Sequence, residues 1–421
     1  MQVREIKPVQ KVNARIEVPG SKSITNRALV CAALAQREST ILNASDSNDT
    51  ALMANGLNQL GVLVRKDNDT LIVSGTGGRL FAPKFPIPVD NAGTTLRFLL
   101  SLASLADGRT VFESDVRMSS RPIDDLLDAL EQLGVEAQAH GTRFSVSGAA
   151  LEGGTATLKA GISSQFLSSL LMVAPQARCD VRIEVEGGLT SLPYVDMTIE
   201  VMRAFGSEVK SSDGKLFLVK SGQRYRPTAF RVEPDASGAS YFFAAAAITG
   251  GEVVVRGLSR RSSQGDVRFV EVLERMGCEV REVSDGLGVR GSGELHGIDI
   301  DMNAMPDVVP TLAVTALFAN GSTRLRNISH LRYKESDRLT ALATELMKLG
   351  AGVSLSNNGI DITPAALHGA QLDTYDDHRL AMSFALVGLR VPGVKVEDPE
   401  CVKKSFPKFW EEFEKMYPGK S

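Results

Sequence analysis

Residues 19–35 read PGSKSITNRALVCAALA, a small-residue turn running straight into an apolar helix whose opening holds Lys22, Ser23 and Arg27. The same arrangement returns five times: NAGTTLRFLLSLASLA from Asn91, GISSQFLSSLLMVAP from Gly161, PDASGASYFFAAAA from Pro234, PDVVPTLAVTALFA from Pro306 and DDHRLAMSFALVGL from Asp376. Successive openings lie 72, 70, 73, 72 and 70 residues apart. A fixed period of this kind is the signature of stacked structural units.

A second marker keeps the same beat. Gly61, Gly134, Gly206, Gly277 and Gly350 each follow an apolar helical stretch and are spaced 73, 72, 71 and 73 residues apart. Glycine is favoured just past a helix C-terminus, where φ turns positive. Each unit therefore reads helix, strand, helix, strand, strand. GEVVVRG at 251–257 and CEVREV at 278–283 show the alternation of half-buried strands. The second helices are amphipathic, with Leu126, Leu127, Leu130 and Leu133 in copy two and Phe269, Val270, Leu273 and Met276 in copy four. The sixth copy stops after a second helix expected over 406–416. A strand-like piece over 14–18 belongs to no copy, so the N-terminus is expected to complete the last one. The fold class is α/β, with six units split into a lobe over 19–231 and a lobe made of 1–18 plus 232–421.

Composition sets the outer limits. The chain has 421 residues, 43% hydrophobic and 23% charged, which is globular rather than disordered. Its net charge of −3 argues against a general nucleic-acid coat or an anionic-membrane binder, so any anion site must be a local cluster. The apolar stretches, such as 241–248, fall well short of the ~20 residues of a membrane span. The opening MQVREIKPVQ has no signal-peptide core, so the cytoplasm is expected. Cys31, Cys179, Cys278 and Cys401 have no CxxC spacing and read as buried apolar side chains. None of the five histidines has metal-ligand spacing, so no metal is expected. His378, in Tyr-Asp-Asp-His-Arg, reads as a hydrogen-bonding residue. P-loop, GxSxG and Rossmann signatures in a working context are absent.

The unusual polar residues fall in two phases of the repeat. The first-helix openings hold Lys22, Ser23, Arg27, Asn91, Gly93, Arg97, Ser163, Ser164, Gln165, Asp307, Asp377, His378 and Arg379. The second-helix openings hold Arg121, Ser191, Gln264, Lys334, Glu335, Arg338 and Lys404. Equivalent positions in stacked repeats face one end of a domain. A helix N-terminus has unpaired N–H donors and about half a positive charge, so cations there are locally unfavourable. Their recurrence points to an anionic ligand of the phosphate or carboxylate kind. Asp307 and Glu335 share these positions. In cationic surroundings a carboxylate stays ionised and can work as a general base, with Glu335 beside Lys334 able to shuttle a proton.

Pro19-Gly-Ser-Lys-Ser-Ile-Thr-Asn-Arg27, Asn91-Ala-Gly-Thr94, Arg117-Met-Ser-Ser-Arg-Pro122, Ser163-Ser-Gln-Phe166, Lys334-Glu-Ser-Asp-Arg338, Asp376-Asp-His-Arg379 and Lys404-Ser-Phe-Pro407 together resemble the EPSP synthase family of enolpyruvyl transferases, over about residues 5–415. The resemblance implies two inside-out α/β barrel-like domains of three repeats each, hinged at the crossings near 18 and 231, with the active site in the cleft between them. It implies transfer of the carboxyvinyl group of phosphoenolpyruvate to the 5-hydroxyl of shikimate 3-phosphate, releasing phosphate, in the pathway to chorismate and the aromatic amino acids. No cofactor, metal, nucleic acid or membrane is implied, and a monomer is expected. By the family pattern Lys22, Ser23, Arg27, Ser163, Ser164, Gln165, Ser191, Asp307, His330 and Lys334 would hold shikimate 3-phosphate. Lys22, Gly93, Arg121, Gln165, Glu335, Arg338, Arg379 and Lys404 would surround phosphoenolpyruvate. Asp307, Glu335 and Lys22 would carry the proton transfers.

The chain departs from the family pattern in two places. His330 stands where the family often has Asn. After Asn91-Ala-Gly-Thr the chain reads Thr95-Leu-Arg97-Phe98, where glyphosate-sensitive members commonly read Ala-Met-Arg-Pro, so reduced glyphosate sensitivity is expected. Three rival readings bear comparison. The sister enzyme acting on UDP-N-acetylglucosamine carries Lys-Asn in place of Lys22-Ser23 and usually a loop cysteine, whereas no cysteine lies between 32 and 178. A non-catalytic ring of six repeats could spare Asp307 and Glu335. A degenerate anion-binding paralogue would not need the full set of cations and carboxylates.

Overall fold

The first helix of each repeat is mostly apolar and carries no continuous polar face beyond its opening. A helix with no polar face has to be surrounded. In the computed structural model, which describes residues 2–148 and 150–419, this holds literally. All 11 residues of Gly93–Ala103, all 14 of Ala236–Thr249 and all 11 of His378–Gly388 are buried. The chain divides into two compact units, Gly20–Val232 and Met1–Pro19 with Glu233–Ser421. In the first, the helices Lys22–Leu34, Gly93–Ala103 and Ser164–Val173 pack on one another at the centre; in the second, Ala236–Thr249, Val309–Ala316 and His378–Gly388 do so. Each unit has its own apolar core. Amphipathic helices such as Asp124–Gln132 and Arg338–Lys348, together with small sheets, cover these central helices. The glycines on the repeat beat have φ of 92° (Gly61), 85° (Gly134), 87° (Gly206), 108° (Gly277) and 96° (Gly350), as a residue past a helix end requires.

The sheets show that a strand also precedes each first helix. Gly154–Lys159 pairs in parallel with Val181–Glu186 across the helix Ser164–Val173, and Asp299–Asp301 pairs in parallel with Thr323–Arg326 across Val309–Ala316. The unit is therefore strand, helix, strand, helix, strand, strand, with antiparallel closing strands such as Leu216–Val219 and Gly359–Thr363. The leading strands escape the sequence pattern because they are short edge pieces, Ala229–Arg231 and Gln371–Leu372 among them.

At the two crossings the leading strands are exchanged. Asn13–Ile16 runs into the first helix of copy one but pairs in parallel with Glu252–Arg256 of copy four. Ala229–Arg231 runs into copy four but pairs in parallel with Gln36–Leu42 of copy one. The N-terminus thus enters two sheets, not one. The strand over 13–16 joins copy four, where Val12, Ala14 and Ile16 enter the core. Val3–Glu5 instead lies antiparallel to Lys395–Glu397, in the place a closing strand takes in the other copies. The end of copy six differs from the expected single helix: a 3-10 segment, Pro399–Lys404, precedes a short helix, Phe409–Glu414.

Candidate functional site

In the unit Gly20–Val232 most of the singled-out side chains are buried, with Ser23 and Gln165 half-buried, and a network of contacts links them. Ser21 caps the first helix by accepting from the Ile24 N–H, which leaves Lys22 at the first helical position. Lys22 Nζ donates to Asp49 Oδ2 at 2.7 Å, and both side chains are nearly closed to solvent. Asp49 sits in the first turn of Asn48–Gln59, and its carbonyl accepts from Thr95 Oγ1 at 3.0 Å. The neighbouring Thr94 Oγ1 accepts from Gln165 Nε2 at 3.0 Å, and Gln165 Oε1 accepts from Arg97 Nη1 at 2.7 Å. Arg121 donates through Nη1 to the Asn91 carbonyl and side-chain oxygens at 3.3 and 3.2 Å. Its guanidinium lies over Gly93, where no side chain intervenes. Gly93–Ala103 starts at Ala92 with no side-chain cap, which suits an anion at its N-terminus.

Arg27 is 1% exposed, yet its hydrogen bonds go to uncharged oxygens: Thr198 Oγ1 at 2.7 Å, Ser23 O at 2.8 Å, Tyr194 O at 3.1 Å and Ser168 Oγ at 3.3 Å. Burial pulls its pKa down to about 10, so it remains cationic at neutral pH. A buried cation held by neutral groups is costly unless an anion offsets it. Ser191 has the left-handed φ of 59°, rare for a non-glycine, and heads Leu192–Ala204 without capping it through its side chain. Its carbonyl accepts from Tyr194 N, which ties it to the Arg27 group. Ser163 accepts from Gln165 N at 3.3 Å, and Ser164 is buried beside it.

The other unit gathers carboxylates with cations. Asp307, beside Pro306 in the 3-10 turn Pro306–Val308, accepts from Arg379 Nη2 at 2.6 Å through one oxygen and from Arg338 Nη1 at 3.2 Å through the other. Arg338, 1% exposed, also donates Nη2 to Glu335 Oε2 at 2.6 Å. Its Nε and Nη2 donate to Asp377 at 2.8 and 3.2 Å. Asp377, wholly buried, caps the helix His378–Gly388 by accepting from the Arg379 N–H at 3.0 Å and accepts from Ser336 Oγ at 3.1 Å. Burial works against the Asp307 charge, but Arg379, Lys334 and Arg338 outweigh it and hold its carboxyl well below the ordinary range. His330 is pushed down to about 3 by burial and by Lys334, against the pull of Asp307, so it is neutral. Lys404 ends the segment Pro399–Lys404, which packs on the helix His378–Gly388 that carries Arg379.

The repeat phase over-extends in copy four. Asp235 caps the Gly238 N–H, and Gln264 accepts from Ala236 N while donating to the Pro234 carbonyl, so this helix opening is closed by its own side chains. Sequence reading missed Asp49 as the partner of Lys22, although it lies 27 residues on from it, in the second-helix phase. It also missed that Asp377 orients Arg338.

Helix N-termini carrying Arg, Lys and Gln, and carboxylates fixed on arginines, are the features of an enzyme site suited to anionic small molecules. Comparison with known proteins narrows the class. The family model for EPSP synthase (3-phosphoshikimate 1-carboxyvinyltransferase) matches residues 6–413, and this chain belongs to that family. Proteins named 3-phosphoshikimate 1-carboxyvinyltransferase from Trichormus variabilis and Shewanella pealeana are each 44% identical to it, over 96% and 98% of both chains respectively. An EPSP synthase structure from Acinetobacter baumannii superposes with a TM-score of 0.82 at 26% identity, covering 99% of this chain and 98% of that one. The enolpyruvyl transferase NikO from Streptomyces tendae shares the fold, with a TM-score of 0.77 at 18% identity over 98% of this chain and 97% of that one. Among the described residues no helix is long and apolar enough to cross a membrane.

Proposed function

We infer that this chain transfers the carboxyvinyl group of phosphoenolpyruvate to the 5-hydroxyl of shikimate 3-phosphate, with release of phosphate. The observation that supports the assignment of roles is the pair Asp307 and Glu335, both fixed on Arg338. The reaction needs three proton transfers beside a phosphate and a carboxylate: onto the methylene carbon, off the attacking hydroxyl, and off the methyl group. A proton is added to the methylene carbon of phosphoenolpyruvate, which leaves cationic character at the neighbouring carbon. The substrate hydroxyl adds to that carbon and loses its proton. The methyl proton is then removed, the carbon–oxygen bond to phosphate breaks, and the vinyl group is restored. Fixed cations stabilise the anionic ends, and positioned carboxylates move the protons.

In this reading Arg338, Arg379, Lys404, Lys22, Arg121, Gly93, Gln165 and Glu335 serve phosphoenolpyruvate. Arg27, Ser23, Ser163, Ser164, Ser191, His330, Lys334, Asp307, Lys22 and Gln165 serve shikimate 3-phosphate. Asp307 is paired with both Arg338 and Arg379, and Glu335 is paired with Arg338. Incoming phosphate and carboxylate groups compete for those arginines, which frees the two carboxylates for proton transfer. The enzyme is proposed to work as a cytoplasmic monomer on these two soluble substrates, without nucleic-acid or membrane partners.

Phosphate release tests the assignment. Release is expected with phosphoenolpyruvate plus shikimate 3-phosphate and not with phosphoenolpyruvate plus UDP-N-acetylglucosamine. Asp307→Ala and Glu335→Ala are each expected to lower turnover by about 10²–10⁴-fold. Near-normal rates in both variants would remove the proton-transfer roles.

A further inference from the structure

We propose that Glu345, outside the substrate-binding set, is a positioning residue for Arg338 and Arg379, acting through the segment Asp373–Asp377; this rests on the phosphoenolpyruvate site proposed above. The segment is conformationally costly. Tyr375 and Asp376 are consecutive non-glycine residues at φ of 53° each, in the left-handed region. Such residues persist only where the surroundings over-determine them.

One helix supplies the constraint. Arg338 opens the helix Arg338–Lys348, and Glu345 lies seven residues further on, about 10.5 Å along the axis. At the near end Asp377 grips Arg338 through both carboxylate oxygens. At the far end Glu345, with no exposed surface, accepts from the Tyr375 hydroxyl at 2.8 Å and from the Asp373 N–H at 3.1 Å. Its charge is met by Lys348 Nζ at 2.8 Å. Inside the segment the Tyr375 N–H donates to Asp373 Oδ1 at 2.7 Å and the Asp377 N–H to the Thr374 carbonyl at 2.8 Å. The segment is thus pinned at two points on a single rigid ruler. Its exit presents Asp377, which orients Arg338 through its side chain and fixes the backbone of Arg379 through its cap. A carboxylate that touches no substrate in this scheme therefore sets where two phosphoenolpyruvate arginines stand.

The test compares Glu345→Ala, Glu345→Gln and Tyr375→Phe with the wild type, by phosphate-release kinetics and by hydrogen exchange over 373–379. The KM for phosphoenolpyruvate is expected to rise about tenfold or more in Glu345→Ala and about fivefold in Tyr375→Phe, as loss of charged hydrogen bonds implies. The KM for shikimate 3-phosphate should stay within about twofold. Glu345→Gln keeps one acceptor oxygen, enough for the Asp373 N–H, while its amide NH2 can donate to the Tyr375 hydroxyl oxygen, so it should restore part of the affinity. Exchange over 373–379 should quicken in Glu345→Ala and Tyr375→Phe without a matching rise elsewhere. Equal rises in both KM values, or unchanged exchange in 373–379, would overturn the proposal. If Glu345→Ala does not fold, Tyr375→Phe decides it alone. A wild type that releases no phosphate would defeat the reaction assignment instead, while the exchange measurement still judges the clamp.

Discussion

A methyl group on Gly93 would lie 2.8 Å from the guanidinium carbon of Arg121 and 2.8–2.9 Å from its two terminal nitrogens. The glycine is there because the arginine folds over it at the uncapped start of a helix. Gly93→Ala therefore moves the flexible end of Arg121 rather than the backbone. The KM for phosphoenolpyruvate should rise about tenfold, the cost of a charged contact of about 1.4 kcal/mol. The thermal midpoint should change by less than about 3 °C, since about 1 kcal/mol corresponds to 2–4 °C in a unit of this size. Steady-state kinetics and a melt separate the two effects; an unchanged KM would show that Arg121 does not serve this substrate.

Thr95 and Phe98 couple the same helix to two other cations. Thr95 Oγ1 holds the Asp49 carbonyl, and Asp49 holds Lys22. Phe98 is fully buried, with the Arg27 guanidinium 5.2 Å from its ring centre. The helix that presents Gly93 is thus set by contacts that Ala-Met-Arg-Pro could not make. Glyphosate inhibition should be weak relative to phosphoenolpyruvate affinity, and Thr95→Ala should lower the inhibition constant by at least about threefold, the worth of a hydrogen bond near 0.7 kcal/mol. The check is an inhibition series at matched substrate. A constant in the range of sensitive enzymes would refute the expectation.

The repeat, the central helices and most of the clustered cations were legible in the sequence because they obey strong local rules. Apolar helices had to be surrounded, glycines had to end helices, and Lys or Arg at a helix start stands out against the dipole. What escaped depends on pairing over long distances. The leading strands are two to six residues long and gain their identity only from a partner, so the exchange of Asn13–Ile16 and Ala229–Arg231 has no local signature. Asp49 looks like an ordinary acidic residue at a helix start, and Asp377, although its repeat phase singles it out, carries no local sign of its partner. Only the fold shows that they hold Lys22 and Arg338.

The crossing into the first unit leaves no room for a side chain. A Cβ at Gly20 would sit 1.7 Å from the Asn43 carbonyl oxygen, which is backbone and cannot swing away. Asn43 is itself held at φ of 53°, and its Nδ2 donates to the Val232 carbonyl at 2.9 Å, beside the return crossing. Gly20→Ala should therefore destabilise the protein by about 4 kcal/mol or more, in the range reserved for forced backbone movement. Denaturant unfolding provides the measure, and a loss below about 1 kcal/mol would show that the crossing is pliable.

His330 gives the protein a predictable acid response. Its imidazole is 3% exposed, and burial with Lys334 nearby lowers its pKa to about 3, against about 6.5 in an unfolded chain. Between these values the unfolded chain binds a proton that the native state does not. Stability must then fall as pH is lowered through 6.5 toward 3, and the contribution vanishes above about pH 7.5. At pH 5 the deficit from this one group is about 2 kcal/mol, from 1.36 kcal/mol for each of the roughly 1.5 pH steps below 6.5. Asp307 runs the other way: its lowered pKa stabilises the native state above the unfolded value near 3.8 and is lost only below it, outside this window. His330→Gln should therefore flatten the melting temperature between pH 5 and 8. The wild type should lose about 4–8 °C more than the variant on going from pH 8 to pH 5. Parallel curves for the two proteins would mean that His330 takes up its proton in the folded state.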